Sequence, residues 1–363
     1  MNVESSVTER YSRGAQQREE SLCCPVDYDT GLLEMLPDEI ISRDYGCGDP
    51  SRYVRRGDTV LDLGSGGGKI CYMAAQLTGP EGRVIGVDMN DDMLALARKY
   101  QDEMAARLGS KRVSFLKGNI QDLALDLGAL EHYLSEHPVT DRQSYTDLKN
   151  WEQRQRREQP LIADDSVDLV ISNCVLNLVS DDEKQQLVQE IFRVLKPGGR
   201  IAIADIISDR PIPAALKNDP EHWSGCLSGA FQEAEFLQAF AAAGFQGVMY
   251  DKWDPQPWRV IDDIVFRSAT LTALKAVPVK AADRDRTLIY RGPFKEVIDD
   301  TGQHFLRGER VTVSAAQHDV LTGAAYRDAF IDTEPAQPGQ GNACCAATSD
   351  ATRASQTGNA RCC

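Results

Sequence analysis

Apolar and polar residues begin to alternate regularly at Asp58. A short apolar run, Thr59 to Leu63, leads into glycine-rich Gly64 to Gly68 and then a helix-spaced stretch from Lys69 toward Leu77, which predicts a strand, a tight loop and a helix. The pattern repeats. Arg83 to Val87 is a second apolar run ending in Asp88, Asn90 stands where a helix cap belongs, and Met93 to Leu108 carries helical periodicity. A third run, Val113 to Leu116, reaches Gly118-Asn119-Ile120. After a polar stretch the alternation resumes with Val167 to Ser172 as a strand and Asp181 to Leu195 as a helix. Lys196-Pro197-Gly198-Gly199 should end that helix, and Arg200 to Asp205 is the next strand.

Strands that alternate with helices require right-handed crossovers. The fold class expected is therefore α/β, a doubly wound and mostly parallel Rossmann-like sheet, followed by a smaller C-terminal α+β unit. Residues 122–163 mix charged and amide side chains with isolated Tyr145 and Trp151, and read as a partly helical surface insertion in a main domain of residues 41–210. Beyond Asp209 the alternation fades. Glu233 to Ala243 reads as a helix stopped by Gly244, and Asp262 to Ala276 as strand-like or helical material, both within a part spanning 211–275. Thr287 to Tyr290, His304 to Leu306 and Val311 to Val313 read as short strands of a unit at 276–332, and the Ala/Gly/Gln/Thr-rich stretch 333–363 as a disordered tail. Residues 1–40 form an N-terminal segment whose first 21 residues contain no apolar stretch of the kind a secretory or membrane signal needs.

Composition narrows the partners. A formal net charge of -15 argues against a nucleic acid or an anionic membrane as ligand, because those need clustered Lys and Arg. A cytoplasmic, monomeric protein is the expectation. In that compartment ten cysteines are not read as a disulfide framework.

The loop Asp62-Leu63-Gly64-Ser65-Gly66-Gly67-Gly68 places glycines at alternating positions between a strand and a helix, where backbone can pass close beneath a ligand. Asp88 ends the next strand, where a carboxylate can accept both ribose hydroxyls of an adenosine cofactor. A dinucleotide fingerprint would want glycine at position 69, which is Lys. The pattern suits the amino-acid end of S-adenosylmethionine (SAM) instead. Met89 is expected beside adenine and ribose, Asn119 and Ile120 at the adenine edge, and Tyr45 closing over the cofactor. Gly64, Ser65, Gly66, Asp62 and Asn173 complete the expected cofactor set.

No Cys-x-x-Cys pair of the zinc-finger kind is present. Cys174 follows Ser172-Asn173 at the carboxyl end of the fourth strand, the ligand edge of a doubly wound sheet. Cys226 lies in a turn of small residues, and Cys47 lies in Tyr45-Gly46-Cys47-Gly48, whose glycines are expected to leave its thiol accessible. Three separated thiols suit a soft three-coordinate centre. Cys71, on the first helix, reads as a core residue. Cys344, Cys345, Cys362 and Cys363 lie in the tail.

These segments resemble the arsenite methyltransferases. The resemblance rests on Tyr45-Gly46-Cys47-Gly48, Asp62 to Tyr72, Ser172-Asn173-Cys174-Val175-Leu176-Asn177-Leu178, Lys196-Pro197-Gly198-Gly199 and Gly225-Cys226-Leu227-Ser228-Gly229, over about residues 23–332. It implies a class I SAM-dependent methyltransferase that binds As(III) at Cys174 and Cys226, with Cys47 as third ligand for arsenite, that takes arsenite and methylarsenite as acceptors, and whose residues 211–275 complete the arsenic site. It also implies that an N-terminal cysteine works with Cys47; Cys23 and Cys24 are the candidates, and the register leaves both open. Thioredoxin or glutathione is the implied reductant. Two other classes would use part of this pattern: a methyltransferase for an organic small molecule, which leaves the three cysteines idle, and a thiol-based metalloid binder, which leaves the glycine loop and Asp88 idle.

Overall fold

In a computed structural model the chain is described over residues 3–19, 26–277, 285–323, 325–326 and 329–333. Cys23, Cys24, the four tail cysteines and the expected disorder of the tail all fall outside the described residues.

Nine strands form one sheet: β1 (Thr59–Leu63), β2 (Arg83–Asp88), β3 (Val113–Lys117), β4 (Val167–Asn173), β5 (Leu195–Ser208), β6 (Phe231–Gln232), β7 (Gln246–Trp253), β8 (Arg259–Ile261) and β9 (Ile264–Leu274). Its order is β3-β2-β1-β4-β5-β9-β7, with β6 paired to β5 and β8 to β9. The first five are mutually parallel, whereas β9 and β7 join antiparallel. The chain order reverses between β1 and β4, and the carboxyl ends of these strands open a crevice there.

The apolar runs become strands because both faces of the sheet are covered. Val60, Leu61 and Leu63 of β1, and Leu169, Val170 and Ile171 of β4, are fully buried. One face packs on the helix Lys69–Thr78 through Tyr72, Met73 and Ala74. The other packs on Leu187, Ile191, Phe236 and Phe240 from the helices Lys184–Val194 and Glu233–Ala242. Asn90 caps the helix Asp91–Lys99 as the sequence predicts, accepting from the amides of Asp92 and Met93.

Several sequence expectations change. The stretch Met93 to Leu108 is two helices, Asp91–Lys99 and Gln101–Leu108, that meet at Tyr100. Strand β5 begins at Leu195 and takes in Lys196 to Gly199, where its register against β4 shifts and Gly198 has positive φ. The ambiguous stretch Asp262 to Ala276 is β9, so the main sheet continues past residue 210 and takes up much of 211–275. The insertion carries helices Leu127–Glu136 and Arg142–Glu158. The C-terminal unit holds β10 (Arg286–Tyr290), β11 (Glu296–Ile298), β12 (His304–Leu306), β13 (Arg310–Val313), the helix Ala315–Leu321 and β14 (Phe330–Asp332), closed over buried Leu288, Tyr290 and Phe305.

The largest departure is at the N-terminus. Val3–Gln16, for which no element was expected within the N-terminal segment, is a helix that lies over the crevice. Its signal was present: Val3, Val7, Tyr11 and Ala15 recur every fourth residue, one face of a helix.

Candidate active site

The crevice is a cleft of about 1100 Å³, its open mouth included, walled by the glycine loop, Asp62, Asp88, Met89, Ile120 and Cys174. The glycine loop does what its pattern suggests. Gly64, Gly66 and Gly68 all have positive φ, at 67°, 50° and 87°. A Cβ on Gly64 would come within 2.4 Å of Val175 Cγ1, so only glycine passes there. A Cβ on Gly66 would meet only Met93 Sδ, at 3.9 Å, and the loop is open toward the cleft.

Asp88 is aimed by two backbone amides: Gly66 N–H donates to Oδ2 at 2.8 Å and Asn90 N–H to Oδ1 at 2.8 Å. Burial raises its pKa, and these amide donors oppose the rise. Burial pushes the Asp62 carboxyl up to about 8, against a hydrogen bond of 3.2 Å from Cys71 Sγ. Ser65 Oγ is buried in the loop and finds no hydrogen-bond partner among the described residues. An orphan hydroxyl and two desolvated carboxylates facing one cleft fit a ligand that brings hydroxyls and a cation. An adenosine cofactor with a charged amino-acid end has both.

Of the expected cofactor residues, Tyr45, Asp62, Gly64, Ser65, Gly66, Asp88, Met89, Ile120 and Asn173 line the cleft. Asn119 does not. Its backbone bridges to Asp122, while Gly118, Ile120 and Gln121 face the cleft. A single residue after a strand carries no signal of which neighbour will face the cleft. Tyr45 lines the cleft, but its hydroxyl is bound to the N-terminal segment, donating to Gly14 O at 3.1 Å and accepting from Glu19 N–H at 2.9 Å.

Cys174 lines the cleft, and Cys47, Cys174 and Cys226 share one buried cluster with Ile206, Leu227 and Phe266. Both Cys174 (φ 63°) and Cys226 (φ 62°) adopt the left-handed backbone conformation. Side-chain-bearing residues avoid it, at a cost of about 1–3 kcal/mol each, and such strain gathers at functional sites. Cys226 Sγ donates to Cys174 O at 3.1 Å.

The Cys47 loop is clamped and its thiol covered, contrary to the accessibility expected from its glycines. Asn173 Oδ1 accepts from the amides of Cys47 and Gly48 at 2.9 and 3.0 Å, its Nδ2 donates to Gly48 O at 2.9 Å, and Ser268 Oγ donates to Cys47 O at 2.6 Å. A Cβ on Gly46 would stand 2.2 Å from Asn173 Nδ2, and one on Gly48 2.6 Å from Ala204 Cβ. The glycines serve close approach, and Cys47 is 3% exposed.

Sequence reasoning missed Asp205. Its carboxylate and the Cys47 and Cys174 thiols form a buried group whose ligand atoms all lie within 4.8 Å of one another. Asn177 Nδ2 donates to Asp205 Oδ1 at 2.7 Å and Ile206 N–H donates at 2.8 Å. Burial lifts this carboxyl to about 7, although its amide donors and Lys184 favour the charged form. Asp205 ends an otherwise apolar strand run, beside the edge where Cys174 was placed; that position was its available signal. Cys71 is fully buried on its helix, as expected of a core residue.

A parallel sheet with a reversal at β1 and β4, a glycine loop under the crevice and an acid at the end of β2 define a class I SAM-dependent methyltransferase. A model of a methyltransferase domain matches residues 55–132 and 142–244, and a domain of unknown function matches 278–361. The chain is 34% identical over 271 residues to the arsenite methyltransferase of Aquipseudomonas alcaligenes, covering 72% of this chain and 67% of that protein. It is 30% identical over 313 residues to the arsenite methyltransferase of Mus musculus, covering 83% and 73%. The crystal structure of an arsenic(III) S-adenosylmethionine methyltransferase from Chlamydomonas reinhardtii superposes with a TM-score of 0.56 at 26% identity, covering 85% of this chain and 96% of that one. The chain belongs to the arsenite methyltransferase family. Its cofactor is SAM.

Proposed function

We propose that this chain methylates trivalent arsenic held by the thiolates of Cys174 and Cys226, with Cys47 as third ligand for arsenite. The observation that carries the reading is the pair of cysteines in left-handed backbone, Cys174 and Cys226, gathered with Cys47 in one buried cluster that Cys174 joins to the cofactor cleft. Arsenic(III) is thiophilic and three-coordinate, and its lone pair completes the pyramid.

When bound, SAM supplies an electrophilic methyl on a sulfonium. Asp88 would accept the ribose hydroxyls, Asp62 would hold the ammonium, and the loop Gly64 to Gly67 would take the amino-acid end. The thiolates orient the arsenic lone pair toward the cleft, and Asn173 couples the two halves, because it lines the cleft and clamps the Cys47 loop. The nucleophile is a lone pair without a proton, so transfer needs no general base and rests on positioning. Three thiols exchange their protons for the hydroxides of arsenite, releasing water, with Asp205 beside Cys47 and Cys174.

Bond formation to carbon formally oxidises arsenic from III to V. Two electrons return when the sulfur of either Cys23 or Cys24, losing its one thiol proton, bonds to Cys47 Sγ: the As–S bond to Cys47 breaks, its electron pair stays on arsenic, and thioredoxin or glutathione reduces the disulfide that forms. Arsenite and methylarsenite are the acceptors, and the proposed setting is arsenic detoxification or organoarsenical biosynthesis, in the cytoplasm, by a monomer. No helix among the described residues is long and apolar enough to cross a membrane.

Arsenic K-edge absorption on the arsenite complex tests the ligand set. Three sulfur neighbours are expected in the parent and two after Cys47→Ser; an oxygen-dominated shell in the parent overturns it.

A further inference from the structure

The N-terminal helix Val3–Gln16 touches both halves of the site. On the cofactor side, Asn90 Nδ2 donates to Thr8 O at 3.1 Å and to Ser12 Oγ at 3.0 Å. On the arsenic side, Arg10 Nη1 donates to Glu221 O at 2.9 Å and to Ser224 Oγ at 3.0 Å, which fastens the helix to the turn that presents Cys226. Val7, Thr8 and Tyr11 from its inner face line the cleft.

Tyr11 stands where the halves meet. Its hydroxyl is 3.8 Å from Cys226 Sγ, within hydrogen-bonding range of sulfur, and its ring packs edge-on against Tyr45 at 6.2 Å between centroids. The Cys226 thiol is meanwhile turned to Cys174 O, and Cys226 is outside the close group that Cys47 and Cys174 form with Asp205. To bind arsenic alongside those two thiols, the Cys226 sulfur must turn away from the carbonyl. The phenol is the neighbouring polar group that can hold the sulfur as it does so.

We propose that Tyr11 is a positioning residue for the arsenic ligand Cys226, donating a hydrogen bond to its sulfur and walling the acceptor site from the cofactor cleft. This rests on the reading of Cys226 as a ligand. A phenol O–H on a thiolate stabilises the bound form, because hydrogen bonds to charged groups are the stronger ones. Its loss falls on arsenic affinity and leaves the cofactor's own contacts intact.

The test compares the full-length parent with Tyr11→Phe and Arg10→Met, with kcat and KM for arsenite measured at saturating SAM and SAM affinity measured separately. Tyr11→Phe is expected to raise KM for arsenite about fivefold to tenfold while kcat and SAM affinity stay within about twofold. Arg10→Met, which loosens the helix without touching Cys226, is expected to shift arsenite KM and SAM affinity together. Parent-like kinetics in Tyr11→Phe overturn the proposal. So does an Arg10→Met variant that reproduces the selective rise, because the effect would then belong to helix docking. A parent that binds SAM but does not methylate arsenite sinks the functional reading itself, an outcome separate from either of these.

Discussion

Asn173 Oδ1 accepts the Cys47 amide at 2.9 Å, so the residue immediately before one proposed arsenic ligand fixes the backbone of another 126 positions away. The amide of Gly48 reaches the same oxygen. Asn173→Ala leaves both buried donors without this acceptor. A cost of about 2–4 kcal/mol in folding stability is expected, together with weaker arsenite binding, measured by denaturant unfolding and by arsenite titration. A variant within about 0.5 kcal/mol of the parent would show that the loop holds its shape by other means.

Backbone strain at Cys174 makes an unusual prediction. Ala is ordinarily more stabilising than Gly, because Gly gives up more freedom on folding. At φ 63° the order should reverse. Cys174→Gly is expected to be more stable than Cys174→Ala by roughly 0.5–1 kcal/mol, both lacking transfer activity. Thermal unfolding of the two variants decides it, and an Ala variant that is the more stable would mean the strain is not real.

Cofactor binding should depend on pH through Asp62, whose carboxyl burial pushes up to about 8. A cation at this group favours the ionised form, so binding must displace the proton. SAM affinity therefore rises with pH and levels off above about 8, and binding at pH 7 releases close to one proton. Calorimetry in two buffers of different ionisation enthalpy measures that release. Asp62→Asn should bind more weakly and lose the dependence. The same shift acts on the cofactor-free fold with the opposite consequence. The unfolded carboxyl ionises near its usual range, about 4, and the folded one only near 8, so the apo fold loses stability as the pH rises between them.

The cofactor half was legible because its chemistry is local. A strand, a glycine loop and a helix lie within twenty residues, and Asp88 is at a fixed spacing, so the pattern along the chain is the pattern in space. Cys174 was legible for the same reason, at the end of a parallel strand. Long-range pairing was not legible in that way. Nothing local tells that Ile264–Leu274 lies antiparallel on β5, that Asp205 approaches Cys47, or that Asn173 clamps a loop far upstream. The glycines at 46 and 48 suggested an accessible thiol, although Asn173 and Ala204 make them spacers. The N-terminal helix was overlooked because its apolar face is only one residue in four, and the charges between hid it.

The most direct test is methyl transfer from labelled SAM to arsenite in excess thiol, with the parent beside Cys174→Ser and Cys226→Ser. Methylated arsenic from the parent, and none from either variant while both still bind SAM, is the predicted result. Transfer that survives the loss of either thiol, or a parent that binds SAM and leaves arsenite unmethylated, would contradict a thiolate-held arsenic site.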